Sequence, residues 1–176
     1  MCRGLIFQSS WGWIGIGESA RGIAAIVVSN ASKSATAASL RKSSNEPWKE
    51  AVSPLLCEAK KQLSEYVSGT RRSFDLPLDL TRGTMFQQCV WTRLQTVPYG
   101  QLRSYRELAS SVGGRRYARA VGGAVGANPL PIVIPCHRIV AHDGSLGGFS
   151  CGLWAKRRLL ALEGSLSRLH CRGRNP

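Results

Sequence analysis

Cys136 and His137 stand together in Pro135-Cys136-His137-Arg138, at the end of the apolar run Leu130 to Ile134. A thiol beside an imidazole and a guanidinium has the composition of a nucleophilic site. Positive charge lowers a cysteine pKa, a histidine removes its proton, and the thiolate becomes the attacking group. Most cysteines at the end of such a run are small buried hydrophobes. Here Pro135 withholds a backbone donor and Cys136-His137-Arg138 is too polar to continue a core strand, so the sequence predicts a strand that ends in a reactive thiol.

Metal chemistry is not expected. The six cysteines at 2, 57, 89, 136, 151 and 171 contain no close pair, and the three histidines offer only the 137/142 spacing. Neither zinc-ligand pairs nor a disulfide framework is legible in that pattern, which leaves mostly free thiols.

The elements that position Cys136 follow from caps and breakers. Thr84 precedes an amphipathic stretch with Phe86, Val90, Trp91 and Leu94, which ends before the turn Val97-Pro98-Tyr99-Gly100. Ser104 and Glu107 form a capping box for a short helix to about Ser111, Gly113-Gly114 breaks it, and another helix is expected from about Arg116. A short helix, a glycine turn and an Arg-lined helix have the outline of a helix-turn-helix. In the first half, Trp11 to Ile16 and Gly22 to Val28 read as neighbouring strands around a turn at 17–21, and a helix is expected from about Pro54 to a cap at Gly69. Residues 29–47, rich in Ser, Ala and Lys, read as a mobile surface loop.

The charge says what the folded chain meets. Its 24 Lys and Arg exceed 10 Asp and Glu, giving +14, while 43% hydrophobic residues supply a core that a disordered polycation lacks. Residues 1–82 hold 11 basic and 7 acidic side chains, whereas 83–176 hold 13 and 3, so the second half is where a polyanion would bind. No run is long and apolar enough to span a bilayer, and the start MCRGLIFQSSWGWIGIG is a poor signal peptide, so a cytosolic or nuclear protein is expected.

The string PCHR, preceded by RAVGGAVGANPLPIVI and followed by GGFSCGLWAKRRLLALEG, resembles the O6-alkylguanine-DNA alkyltransferase family. These direct-reversal repair proteins are also called methylated-DNA–protein-cysteine methyltransferases. The likeness runs from about Thr84 to Gly164; the first half matches only in outline. It implies an α/β (α+β) chain of two domains. Residues 1–80 would form a small RNase H-like β-sheet domain with a helix, residues 81–165 a mostly helical, winged-helix-like domain with a helix-turn-helix and the active-site cysteine, and 166–176 a basic tail.

The resemblance further implies single-turnover, irreversible transfer of an alkyl group from O6-alkylguanine in double-stranded DNA to Cys136, with O4-alkylthymine as a second candidate substrate. The protein would act as a monomer through the minor groove, without cofactor, metal or membrane, in the cytoplasm or in a eukaryote's nucleus. By resemblance Cys136 is the nucleophile, His137 draws off its proton through a water, and Glu163 orients that histidine. Asn128 ties the turn before the cysteine, and Tyr105 protonates the departing guanine and crowds the DNA phosphate. Arg119 replaces the extruded base, while Ala118, Ala120, Gly122 and Gly123 let the helix approach DNA closely. Phe149, Ser150, Cys151, Arg138, Ile139 and Val140 would line the guanine pocket.

Departures from the family pattern are Phe149 where tyrosine is frequent, Cys151 where glycine is common, Gly126-Ala127 in place of a more basic pair, and Met85 in place of a proline. Residues 1–82 contain no histidine, so the zinc ligands of some relatives have no counterpart. Two rival classes are a non-catalytic alkyltransferase-like protein, which carries tryptophan in place of the nucleophile, and a helix-turn-helix transcription factor, which leaves PCHR and Glu163 without purpose.

Overall fold

Glycines alternating with β-branched residues build the first sheet. The structure, a computed structural model, describes residues 2–43 and 48–169. It is mixed α+β and divides into two units, Met1–Arg82 and Gly83–Pro176.

In the first unit, β1 (Cys2–Ser9), β2 (Gly12–Ser19) and β3 (Gly22–Ser29) are antiparallel neighbours. The sequence reading contains β2 and β3 but not β1. After α1 (Lys33–Lys42), β4 (Trp48–Glu50) joins β1 in parallel, and the sheet order is β3-β2-β1-β4. Then α2 (Pro54–Val67) begins at Ser53, whose side chain accepts from Leu56 N, and gives way to Gly69 at φ +84°. Its expected apolar face is buried at Leu56, Ala59, Leu63, Tyr66 and Val67.

The expected mobile loop at 29–47 is corrected: Ser29 ends β3, and Ser32 caps α1 by accepting from Ala35 N. One large apolar group, Leu40, is enough there because α1 lies on glycines. A Cβ on Gly15 would come within 3.1 Å of Thr36 Cγ2, and one on Gly17 within 3.5 Å of Leu40 Cδ1. Thr36 and Leu40 therefore suffice to bury the helix. Residues 44–47 of that segment lie outside the described residues.

The second unit opens with α3 (Met85–Gln95), closed by a capping box between Thr84 and Gln87. Next come β5 (Arg103–Ser104) and α4 (Tyr105–Val112), the latter with its Ser104/Glu107 box. Gly113 and Gly114 turn the chain into a 3-10 turn at Arg115–Tyr117 and α5 (Ala118–Gly126), two residues later than expected. Trp91 Nε1 donates to Ala124 O at 2.8 Å, fixing α5 on α3. The two-residue β6 (Ile139–Val140) pairs in parallel with β5, and α6 (Leu153–Leu162) follows.

The expected strand before Cys136 is also corrected. Pro129, Pro131 and Pro135 cannot donate to a ladder. The run instead folds into a buried turn, with Ile134 N donating to Leu130 O at 2.8 Å and Ile132 at φ +77°, a conformation β-branched residues rarely adopt. The expected tail from 166 begins as a 3-10 turn, Leu166–Leu169, with Leu169 packed on Leu102, Val140 and Leu160; its remainder, 170–176, lies outside the described residues. Among the described residues no helix is long and apolar enough to cross a membrane.

Candidate active site

Asn128 shapes the turn that carries the thiol. Its Oδ1 accepts from Leu130 N at 3.0 Å, and its Nδ2 donates to Ile134 O and to Cys136 Sγ, each at 3.0 Å. Cys136 starts a 3-10 helix, Cys136–Arg138, and is 2% exposed. Burial pushes its thiol up to about 12; the Asn128 amide and the Lys156 charge oppose this, and Cys151 adds to it. The expectation of a lowered thiol pKa is thereby overturned: desolvation of the anion outweighs the nearby donors. At neutral pH the thiol therefore keeps its proton.

An imidazole is next in the chain. His137 is fully buried, with Nε2 2.7 Å from Glu163 Oε1. Burial alone would raise the Glu163 carboxyl, but hydrogen bonds and charges from His137 and Arg138 override it and hold the group at about 2. An ionised carboxylate only accepts, so Nε2 carries the hydrogen and Nδ1 presents a lone pair. Among the described residues Nδ1 is buried and bonded to no protein group. Burial also keeps the imidazole below its usual range despite Glu163, hence neutral and able to accept a proton.

Glu163 is gripped from three more sides. Arg138 Nε reaches its two oxygens at 3.2 and 3.0 Å, Arg138 Nη2 reaches Oε1 at 3.0 Å, and Gly100 N donates to Oε2 at 2.8 Å. Arg138 Nη1 also donates to Val97 O. The place of Arg138 on the pocket wall is therefore corrected, because its guanidinium is consumed by the carboxylate. Ile139 and Val140 are fully buried in β6, with Val140 packed into the core on Leu102 and Leu160 rather than bordering open space.

The loop at 147–151 does meet the site. The Phe149 ring stands edge-on to His137, 6.4 Å between centroids at 85°. Gly147, at φ +63°, passes so near Tyr105 that a Cβ there would be 3.2 Å from the hydroxyl oxygen. Tyr105 is half-buried, its phenol pushed up by burial and then by Cys136. Cys151 is half-buried and Ser150 exposed. On α5, Arg119, Ala120 and Gly123 are exposed and Ala118 and Gly122 half-buried, with Gly122 facing the Tyr105 ring.

Sequence reasoning missed Lys156. It is fully buried, and its Nζ donates to Ile139 O at 2.6 Å, to Leu146 O, and to Gly148 O at 3.2 Å. One ammonium thus ties β6 to the loop beside Phe149. Burial pulls it down to about 8, and the Cys136 charge acts the other way. The available signal was its place on the face of α6 that buries Ala155, Leu159 and Leu160, where a lysine needs a purpose.

Residues 85–165 match the family model described as 6-O-methylguanine DNA methyltransferase, DNA binding domain. A methylated-DNA–protein-cysteine methyltransferase of Mycolicibacterium paratuberculosis is 51% identical over 105 residues, 60% of this chain and 63% of that relative's length. One from Methanosarcina acetivorans is 45% identical over 108 residues, 61% of this chain and 69% of the relative. A crystal structure of Mycobacterium tuberculosis OGT in complex with DNA superposes with a TM-score of 0.78 at 36% identity, covering 94% of each chain. The chain belongs to the methylated-DNA–protein-cysteine methyltransferase family. Within that family match, 85–165, lie Tyr105, Arg119, Asn128, Cys136, His137, Lys156 and Glu163.

Proposed function

We propose that this chain removes alkyl groups from O6-alkylguanine in DNA by transfer to Cys136, once per molecule. The observation that carries the reading is the ionised Glu163 holding Nε2 of a neutral His137 whose buried Nδ1 is left without a protein partner, next in the chain to the protonated Cys136 thiol, in a chain of this family. Glu163 holds the Nε2 hydrogen, so the Nδ1 lone pair is the base, reaching the thiol through a water as in a triad's logic.

The sulfur attacks the alkyl carbon; the S–C bond forms as the C–O6 bond breaks and its electron pair leaves on guanine. The thiol proton passes to His137, and the Tyr105 hydroxyl supplies one to the leaving base. Asn128 donates to the sulfur as charge develops, and Lys156 sets the loop that holds the guanine. The product thioether has no leaving path in the site, which makes the act stoichiometric and free of cofactor.

The substrate carbon lies inside the base pair, so the nucleotide must be extruded, at a cost of a few kcal/mol. Exposed Arg119 fills the gap, and the small residues around it allow close approach through the minor groove. The α4–turn–α5 pair beside β5 and β6 supports a winged helix-turn-helix in a domain spanning 81–165, and the sheet with two helices supports an RNase H-like domain at 1–80. Such a substrate places a monomeric protein in the cytoplasm, or in the nucleus of a eukaryote.

The test is to incubate the chain with duplex DNA bearing one O6-methylguanine and weigh the protein. One methyl gained by the wild type and none by Cys136→Ala is expected. Binding without mass gain would point to an alkyltransferase-like or transcription-factor role and overturn the proposal.

A further inference from the structure

The second unit holds a cavity of about 350 Å³ lined by Ser104, Arg106, Glu107, Ser110, Arg115 and His142. Its basic groups come from three separated segments. Ser104 pairs with Val140 in the parallel β5–β6 ladder, so the first turn of α4 and residues 141–142 leave the sheet side by side, bringing Arg106 beside His142. The glycine turn, with Gly114 at φ +128° and its N–H on Ala109 O at 2.9 Å, returns the chain and sets Arg115 by Ser110.

Three arginines of this unit are engaged by protein groups: Arg138 on Glu163, Arg116 on Tyr117 and Arg168 on Gly100 O. By contrast, the guanidinium groups of Arg106 and Arg115 make no hydrogen bond or ion pair among the described residues, and both side chains are exposed. The one carboxylate on the wall, Glu107, is turned to the backbone, its Oε2 accepting from Ser104 N at 2.6 Å. Two guanidinium forks, an imidazole and a serine hydroxyl converging on one hollow have the donor geometry of an oxyanion site. Tyr105, adjoining both Ser104 and Arg106, does not line this cavity but lies against Gly147 and Gly122 and feels the Cys136 charge, so the hollow borders the reactive centre without belonging to it.

We propose that this cavity seats one backbone phosphodiester of the damaged strand, gripped by Arg106 and Arg115 with His142 as a third donor. The proposal rests on the transfer reading, which brings DNA to Tyr105. A single held phosphate beside the reactive centre fixes the register of the strand from which the nucleotide is turned out, a task that diffuse positive charge cannot perform.

The experiment measures binding to duplexes that contain one O6-methylguanine and a neutral methylphosphonate at one position, moved phosphate by phosphate along the damaged strand. In the wild type one position near the lesion weakens binding roughly tenfold, the loss of one charge-assisted contact. Arg106→Ala and Arg115→Ala each weaken binding to the unmodified duplex, reduce the salt slope by about 0.9, and erase the penalty at that position alone. Arg157→Ala, which removes an exposed charge elsewhere in the unit, keeps the penalty. Absence of any position whose penalty vanishes in both variants, or its disappearance in Arg157→Ala, overturns the proposal. Wild-type methylation, weighed in the same samples, reports separately on the transfer reading, so either conclusion can fail without the other.

Discussion

The amide nitrogen of Asn128 serves two acceptors at once, Cys136 Sγ and Ile134 O, each at 3.0 Å. One side chain therefore both closes the turn and supplies the hydrogen bond that favours the thiolate. Asn128→Ala leaves Leu130 N buried and unpaired, at about 1–3 kcal/mol, and takes one of two donors from Ile134 O, which keeps the Cys136 N–H at 2.7 Å. A loss of about 2 kcal/mol in chemical denaturation and slower methylation of Cys136 are expected; an unchanged unfolding midpoint would contradict the structural half of this role.

Glu163→Gln removes the charge that balances buried Arg138. Uncompensated buried ions cost about 3–5 kcal/mol, so the variant should be strongly destabilised at pH 7 and should methylate slowly for want of an oriented base.

Glu163 and His137 set the acid limb of stability. Glu163 stands at about 2 against an ordinary 4.5, and His137 lies below its ordinary 6.5. Both are groups that the unfolded chain protonates more readily. Their stabilisation is complete above about pH 6.5 and is lost on acidification, first as His137 would charge and then, below about 4.5, as Glu163 would neutralise. The Glu163 share is about 3 kcal/mol. Denaturation midpoints measured from pH 7 to pH 3 should fall throughout that range, and a flat profile would count against the buried pair.

A thiol at about 12 is almost wholly protonated at neutral pH, with on the order of a thousandfold less thiolate than a cysteine at its ordinary 9.0. Iodoacetamide at pH 7 should therefore label the exposed Cys57 and Cys89 well before Cys136. Peptide mapping over a time course checks this, and early modification of Cys136 would show that the resting site already stabilises the anion.

Lys156→Met preserves the stem and removes the ammonium from three carbonyls. About 3 kcal/mol of destabilisation is expected from acceptors left unpaired. Hydrogen exchange should quicken at 146–151 more than in α3, and uniform exchange across the unit would mean that Lys156 does not hold the loop.

What was legible in the sequence was local or motif-borne. The helix start at Thr84, the box at Ser104, the cap at Gly69 and the adjacency of Cys136 and His137 depend on residues a few positions apart, and each stands where expected. The link from His137 to Glu163 spans 26 positions and entered only through family resemblance. Arg138 misled because a guanidinium beside a nucleophile reads as a substrate contact, while its true partner comes from the far end of α6. The prolines at 129, 131 and 135 were visible but weighed less than the β-branched run between them, and so a buried turn passed for a strand. The direction of the Cys136 shift was illegible because it depends on how much water the fold removes, which no neighbour in the sequence reports.

The seating of α1 over Gly15 and Gly17 carries a consequence for where its information resides. Apart from Thr36 and Leu40, the helix's own letters are nearly interchangeable small or polar ones, and its docking depends as much on side chains missing from another segment. Substitution should be tolerated widely along the outer surface of α1 and poorly at two positions in β2. A profile of tolerated replacements along the chain would therefore register this helix most clearly as a pair of intolerant glycines about twenty residues upstream of it.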